Sequence, residues 1–330
     1  MNILLTGAAG FIGFHSARRL LANGHRVLGI DNLNTYYDVA LKHDRLAQLE
    51  GQPGFTFQRI DLADREAMAA LFDAHRFDAI LHLGAQAGVR YSLDAPFAYI
   101  DSNLTGFLSV LEGARRHGVR HLVYASSSSV YGANVKQPFC VEDRTDTPVS
   151  LYAATKKANE LIGHAYAHLY RIPMTGLRLF TVYGPWGRPD MAYFKFTNAI
   201  LRGEAIDLYN GGDMERDFTF VDDVVDGIVL LLESEPVLTD GDAPHRVYNF
   251  GNDRPERLDA MVSHLERLLG RSAKRILLPM QPGDVLSTRA DISLAARDLG
   301  YAPRTSLAEG LERFVAWHRD YYGHPAGAAA

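Results

Sequence analysis

Residues 2–13 read NILLTGAAGFIG, an apolar run that stops at a glycine and leads into the amphipathic stretch FHSARRLLANG. Glycines recur at positions 7, 10 and 13. A backbone that must leave a strand, turn tightly, come close to an anion and enter a helix has no room for side chains at its turning points. The N-terminus of that helix then offers unpaired N–H groups and a positive dipole end. Gly7, Gly10 and Gly13, with Phe11 and Ile12 between them, therefore read as the pyrophosphate turn of a dinucleotide site in GxxGxxG spacing.

Outward from this turn, short apolar runs alternate with longer amphipathic ones. HRVLGID (25–31), FTFQRID (55–61), AILHLGA (79–85), HLVYASS (121–127) and MTGLRLF (174–180) read as strands ending in small or polar residues. NLTGFLSVLEGARRHG (103–118) reads as a helix closed by glycine. Such alternation predicts an α/β fold, a Rossmann-type doubly wound parallel sheet covered on both faces, with ligands at the carboxyl ends of the strands. Asp31 ends the second strand eighteen residues after Gly13. A carboxylate there accepts from the adenosine ribose hydroxyls and repels a 2′-phosphate, favouring NAD over NADP, with Asn32 beside it. Asp61 and Leu62 stand where adenine is expected, and Leu83, Gly84 and Ala85 let the cofactor lie against the chain.

Prolines and glycines become frequent after about residue 184 (GPWGRPD, YNGGD, GNDRPE). The expected organisation is an NAD-binding domain of 1–183 plus about 217–251, and a smaller C-terminal substrate-binding lobe of 184–216 plus about 252–320. Within the first, FVDDVVDGIVLLLE is expected to lead the chain back to the main sheet. The tail PAGAAA is expected to fray.

The chain has 330 residues and a net charge of −5, with no global basic field for nucleic acid or an anionic membrane. Its longest late apolar run, IVLLL, is far shorter than the ~20 residues of a membrane span. The start lacks the basic region of a signal peptide. The single cysteine, Cys140, excludes an internal disulfide and is expected to be a buried thiol in a reducing, cytoplasmic setting. The thirteen histidines are scattered, and no catalytic metal is expected.

Tyr152 and Lys156 in SLYAATKKANE stand one helical turn apart and share a face. Together with GxxGxxG, Asp31 and the serine run of YASSSSVYG, this YxxxK pair resembles the extended short-chain dehydrogenases/reductases, in their nucleotide-sugar epimerase and dehydratase branch. The resemblance runs from residue 2 to about 315. It implies that Tyr152 takes a sugar hydroxyl proton as hydride passes to NAD, its pKa lowered by Lys156 and the nicotinamide. It also implies that Lys156 holds the nicotinamide ribose and that Ser127 bonds the reacting oxygen. Dehydratases and decarboxylases of the branch carry an acidic residue just before VYG. Here Ser128 and Ser129 stand there, which favours epimerisation.

By the same resemblance Arg216, in GGDMERDFTFVDD, pairs with phosphate, and Asp284 and Arg289, in QPGDVLSTRAD, close over uridine and phosphates. The loop LRLFTVYGPWGRPDMA (177–192) and AQAGVRYSLDAP (85–96) closely resemble those of UDP-glucuronate 4-epimerases. A guanidinium matches a carboxylate in two places and stays charged. Arg188 is therefore expected to read the C5 carboxylate of the sugar, with Thr181 and Ser128 or Ser129 donating to it and Arg90 helping from the other side; contact of Arg188 with UDP or a neighbouring loop is the alternative. The resemblance implies NAD-dependent C4 epimerisation of UDP-glucuronate to UDP-galacturonate through a 4-keto intermediate, by a homodimer paired through 103–118 and 152–170. A neutral UDP-sugar 4-epimerase, a UDP-glucuronate decarboxylase and a non-catalytic NAD-sensing protein are the alternatives.

Overall fold

The computed structural model describes residues 1–236, 243–280 and 285–323. Asp284 and the tail PAGAAA lie outside them. Its strands are β1 (Asn2–Thr6), β2 (Arg26–Asp31), β3 (Phe55–Arg59), β4 (Ala79–His82), β5 (His121–Ser127), β6 (Met174–Leu179), β7 (Thr181–Tyr183), β8 (Ala205–Tyr209), β9 (Glu215–Phe220), β10 (His245–Phe250), β11 (Pro255–Arg257) and β12 (Lys274–Leu278). The helices are α1 (Phe11–Ala22), α2 (Val39–Ala47), α3 (Arg65–Ala74), the single turns α4 (Tyr91–Asp94) and α5 (Pro96–Tyr99), α6 (Gly106–His117), α7 (Leu151–Tyr170), α8 (Ala192–Arg202), α9 (Val221–Glu233), α10 (Leu258–Leu269), α11 (Ser293–Leu299) and α12 (Leu307–Tyr322).

Seven strands form one sheet in the order β10-β6-β5-β4-β1-β2-β3, and every pairing in it is parallel. Because successive side chains of a strand point to opposite faces, each strand feeds two cores. Ile3 and Leu5 of β1 pack with Phe14 of α1 and Ile228 of α9. Leu4 packs with Leu71 of α3 and Val110 of α6 on the other face. The strand order reverses between β1 and β4, which opens a crevice at their carboxyl ends.

As expected from FVDDVVDGIVLLLE, α9 returns the chain to the main sheet, where β10 pairs with β6. A three-stranded sheet, β11-β9-β7, and a parallel pair, β12-β8, make the remainder. The boundary expected at 216/217 falls inside β9. Phe194, Leu208, Phe218, Leu265 and Phe314 belong to the same apolar cluster as Ile3 and Leu5, so one core is continuous through both parts.

The helix expected over 103–118 differs at its start. A π-helical turn, Ile100–Thr105, precedes α6, and Asn103 sits buried within it. Wide turns of this kind recur at functional sites because they turn a side chain out of the regular helical face. Cys140 is half-buried, and its Sγ lies 3.6 Å from the Lys136 ammonium and 3.4 Å from an Asp291 oxygen. Burial and Asp291 push its thiol pKa up, so it stays protonated. Among the described residues no helix is long and apolar enough to cross a membrane.

Candidate active site

The glycine turn has the geometry its spacing demands. Gly7 is left-handed, with φ of 72°, and its N–H donates to the Ile30 carbonyl at 2.8 Å. A Cβ on Gly7 would lie 2.8 Å from the Gly84 nitrogen, and one on Gly13 would lie 2.0 Å from the Gly7 carbonyl oxygen. No side-chain cap and no first-turn carboxylate blocks the N-terminus of α1. One cleft runs from this turn along the strand ends. Gly7, Gly10, Phe11, Ile12, Gly13, Asp31, Asn32, Asp61, Leu62, Leu83, Gly84 and Ala85 all line it. These residues fit a dinucleotide: a backbone cradle for pyrophosphate, a carboxylate for ribose and small residues where the ring system lies. Asn32 donates to Asp61 at 2.9 Å, so the ends of β2 and β3 are tied.

Ser127, Tyr152 and Lys156 meet at the inner end of the same cleft. Ser127 ends β5, and its Oγ accepts from the Ser129 N–H at 3.2 Å. Ser150 caps α7 by accepting from the Ala153 N–H at 3.1 Å, which places Tyr152 in the first turn and Lys156 one turn on. The buried Arg178–Glu160 pair, doubly bonded at 2.9 Å, ties α7 to β6. Lys156 Nζ donates to the Ala125 carbonyl at 2.8 Å, and burial lowers its pKa to about 8.

The lowered Tyr152 pKa expected above belongs to the cofactor-bound site. In the protein alone its pKa is raised, because burial outweighs the hydrogen bond from Ser127 and the charge of Arg188 that pull it down. Lys156 faces the Ala125 carbonyl and does not set that balance. The lowering that catalysis needs must come with the positive charge of bound cofactor.

A second cleft opens from the first. Ser127, Tyr152 and Arg188 line both. Arg90, Ser128, Ser129, Thr181 and Arg216 line the second. Arg90 stacks on Tyr209 at 4.5 Å, and Arg216 donates to the Glu215 carbonyl at 2.8 Å. Arg289 stands apart: its Nε donates to Asp253 at 2.8 Å and it lines neither cleft, whereas Thr288 does.

Arg188 reaches the junction of the two clefts, but with a partner already beside it. Its Nε donates to Asp190 Oδ1 at 3.0 Å and Nη2 donates to Oδ2, while the Tyr36 hydroxyl donates to the same carboxylate at 3.0 Å. Burial works against the Asp190 charge, but Arg188 outweighs it and holds the carboxyl below its usual range.

Sequence reading missed several of these groups. Asn34, Tyr36, Tyr37 and Lys42, from DNLNTYYDVALK, line the cofactor cleft. Asn103 donates to Thr155 Oγ1 at 3.0 Å and accepts from the Gln86 N–H at 2.8 Å, joining the end of β4 to α7. The polar cluster after Asp31 was the available signal for the first group; Asn103 had none beyond its place in NLTGF.

The sequence matches the NAD dependent epimerase/dehydratase family over residues 3–251. It is 51% identical to UDP-glucuronate 4-epimerase 6 of Arabidopsis thaliana, over 98% of this chain and 72% of that one. It is 48% identical to a probable UDP-glucuronate 4-epimerase of Rhizobium meliloti, over 98% of each. The fold is similar to that of UDP-glucuronic acid 4-epimerase from Bacillus cereus, solved with UDP-glucuronic acid and NAD. The TM-score is 0.89 at 34% identity, covering 98% of this chain and 100% of that one. The glycine cradle, the Ser127–Tyr152–Lys156 group and a match across three quarters of its length agree: the chain belongs to the NAD-dependent epimerase/dehydratase family.

Proposed function

We propose that this protein interconverts UDP-glucuronate and UDP-galacturonate by NAD-dependent epimerisation at C4. The observation that carries the reading is Arg188 at the junction of the two clefts, beside Tyr152, with Ser128 and Ser129 where an acid would serve elimination. The relatives named above add support.

Gly7, Gly10 and Gly13 hold the pyrophosphate, Asp31 the adenosine ribose, and Lys156 the nicotinamide ribose. NAD, when bound, supplies the hydride acceptor and donor and the positive charge that lowers the Tyr152 pKa. Tyr152 takes the 4-hydroxyl proton and later returns it, and Ser127 bonds the reacting oxygen. Arg216 meets the diphosphate. The 4-keto sugar carries a carboxylate β to its ketone and would lose CO₂ readily. Thr181, Ser128, Ser129 and Arg188 keep the breaking bond out of line with the carbonyl π system.

One observation favours a second reading. Asp190 already neutralises Arg188, and a guanidinium paired in this way leaves no unbalanced charge at the junction to demand a sugar carboxylate. Purified protein incubated with UDP-glucuronate or UDP-glucose, without added NAD, and followed by proton NMR separates the two. Formation of UDP-galacturonate supports the first; turnover of UDP-glucose alone supports the second; UDP-xylose as the product would sink both.

We further propose a two-lobed division into 1–183 with about 217–251 and 184–216 with about 252–320. A homodimer is supported by apolar side chains left exposed on α6 and α7, Leu108, Leu161 and Leu169 among them. A cytoplasmic location is supported by the cysteine-poor composition, which fits a reducing compartment.

A further inference from the structure

Arg45, in α2, is completely buried and has no carboxylate partner among the described residues. A buried cation without a counter-charge is costly unless hydrogen bonds satisfy it. All five N–H donors of this guanidinium are used. Nε and Nη2 both donate to the Trp186 carbonyl, at 3.1 and 2.6 Å, and Nη2 also donates to the Gly187 carbonyl at 3.1 Å. Nη1 donates to the Ala9 carbonyl at 2.9 Å and to the Tyr37 hydroxyl at 2.8 Å.

These acceptors have a common consequence. Holding the carbonyls of Trp186 and Gly187 fixes the two peptide planes immediately before the Arg188 Cα, and with them the point from which the Arg188 side chain sets out towards Asp190. Trp186 is left-handed, with φ of 60°, a conformation a bulky residue keeps only when its surroundings impose it. The Ala9 carbonyl belongs to the glycine turn of the cofactor cleft. One side chain therefore joins the cradle for pyrophosphate to the loop that carries the sugar-facing arginine.

We propose that Arg45 is a positioning residue that aims Arg188 into the sugar cleft and so sets the preference for an acidic over a neutral sugar. The inference rests on the reading of Arg188 given under the proposed function. Lysine offers three donors from one point and cannot span three carbonyls and a hydroxyl, so Arg45→Lys keeps the charge and loses the geometry.

The test uses holoenzyme with retained NAD and calorimetric dissociation constants for UDP-glucuronate, UDP-glucose and UDP, with melting temperature as the check on folding. Wild type is expected to favour UDP-glucuronate over UDP-glucose. In Arg45→Lys and Arg45→Met that ratio is expected to fall about tenfold, while affinity for UDP stays within about twofold. An unchanged ratio in a folded variant, or equal weakening of all three ligands, overturns the inference and leaves Arg45 a purely structural residue. If neither arginine variant folds, Tyr37→Phe removes one acceptor and is expected to shift the ratio less, in the same direction; no shift there overturns the inference as well. A wild type without preference removes the reading of Arg188 itself, an outcome distinct from a preference that survives in the variants.

Discussion

Arg188 and Asp190, two residues apart in one loop, form a forked ion pair at the place where the cofactor cleft meets the sugar cleft. A carboxylate of the protein thus occupies one edge of the guanidinium proposed to read a carboxylate of the substrate. On the proposed reading, the pair makes Arg188 a mild attractor rather than a clamp, which suits a sugar that must present both faces during one turnover.

Removing the Asp190 charge tests this balance. Asp190→Asn is expected to lower KM for UDP-glucuronate about five- to tenfold, by relieving repulsion of an incoming carboxylate, and to lower kcat as the sugar is held too firmly. Steady-state kinetics with UDP-glucuronate and UDP-glucose side by side give the answer. A parallel rise in KM for both sugars would instead make Asp190 an aiming residue for the loop.

Tyr152→Phe deletes one oxygen. The expected loss in kcat is about 10²–10⁴-fold, the range of general acid–base catalysis, with NAD still retained after gel filtration. Activity within tenfold of wild type would show that another group moves the proton.

Lys156 makes a statement about pH. Burial depresses its pKa from 10.5 to about 8, so at neutral pH the folded protein without cofactor carries a buried ammonium at a cost of about 3 kcal/mol. Between pH 8 and 10.5 the unfolded chain binds more protons at this group than the folded one, so the contribution of Lys156 to stability rises with pH there. Urea midpoints of cofactor-free wild type, measured against Lys156→Met from pH 7 to 10, should show this gain in wild type alone. Parallel curves would refute it.

Asp217 is completely buried in β9, and its carboxylate accepts from the N–H groups of Asn252, Asp253 and Ala290 at 2.6, 3.1 and 2.9 Å. It pins the turn after β10 and the segment through Thr288 that borders the sugar cleft. An amide group at this position turns donors onto donors, so Asp217→Asn is expected to cost about 2–3 kcal/mol. Thermal unfolding of the variant measures it, and a shift of less than about 1 °C would contradict the assignment.

The cofactor half was legible because its signals are local. Glycine at a strand-to-helix turn, a carboxylate at a strand end and a tyrosine and lysine one turn apart depend on neighbours a few residues away. The placing of Arg289 outside both clefts has a local reason too. In the extended run Ser287–Ala290, bridged at both ends, alternate side chains face opposite ways, so Thr288 turns to the cleft and Arg289 to Asp253. Tyr36–Asp190 and Arg45–Trp186 were illegible because their partners lie 154 and 141 residues apart.

By itself, the sequence determined the doubly wound sheet, the dinucleotide cradle and the shared face of Tyr152 and Lys156, all consequences of periodicity and spacing along the chain. Tertiary structure alone decided that Arg188 meets Asp190, that Arg45 holds the loop before it, and that burial raises the Tyr152 pKa in the protein without cofactor. Those outcomes depend on which distant groups share a buried space and how far water is excluded from it, and spacing along the chain records neither.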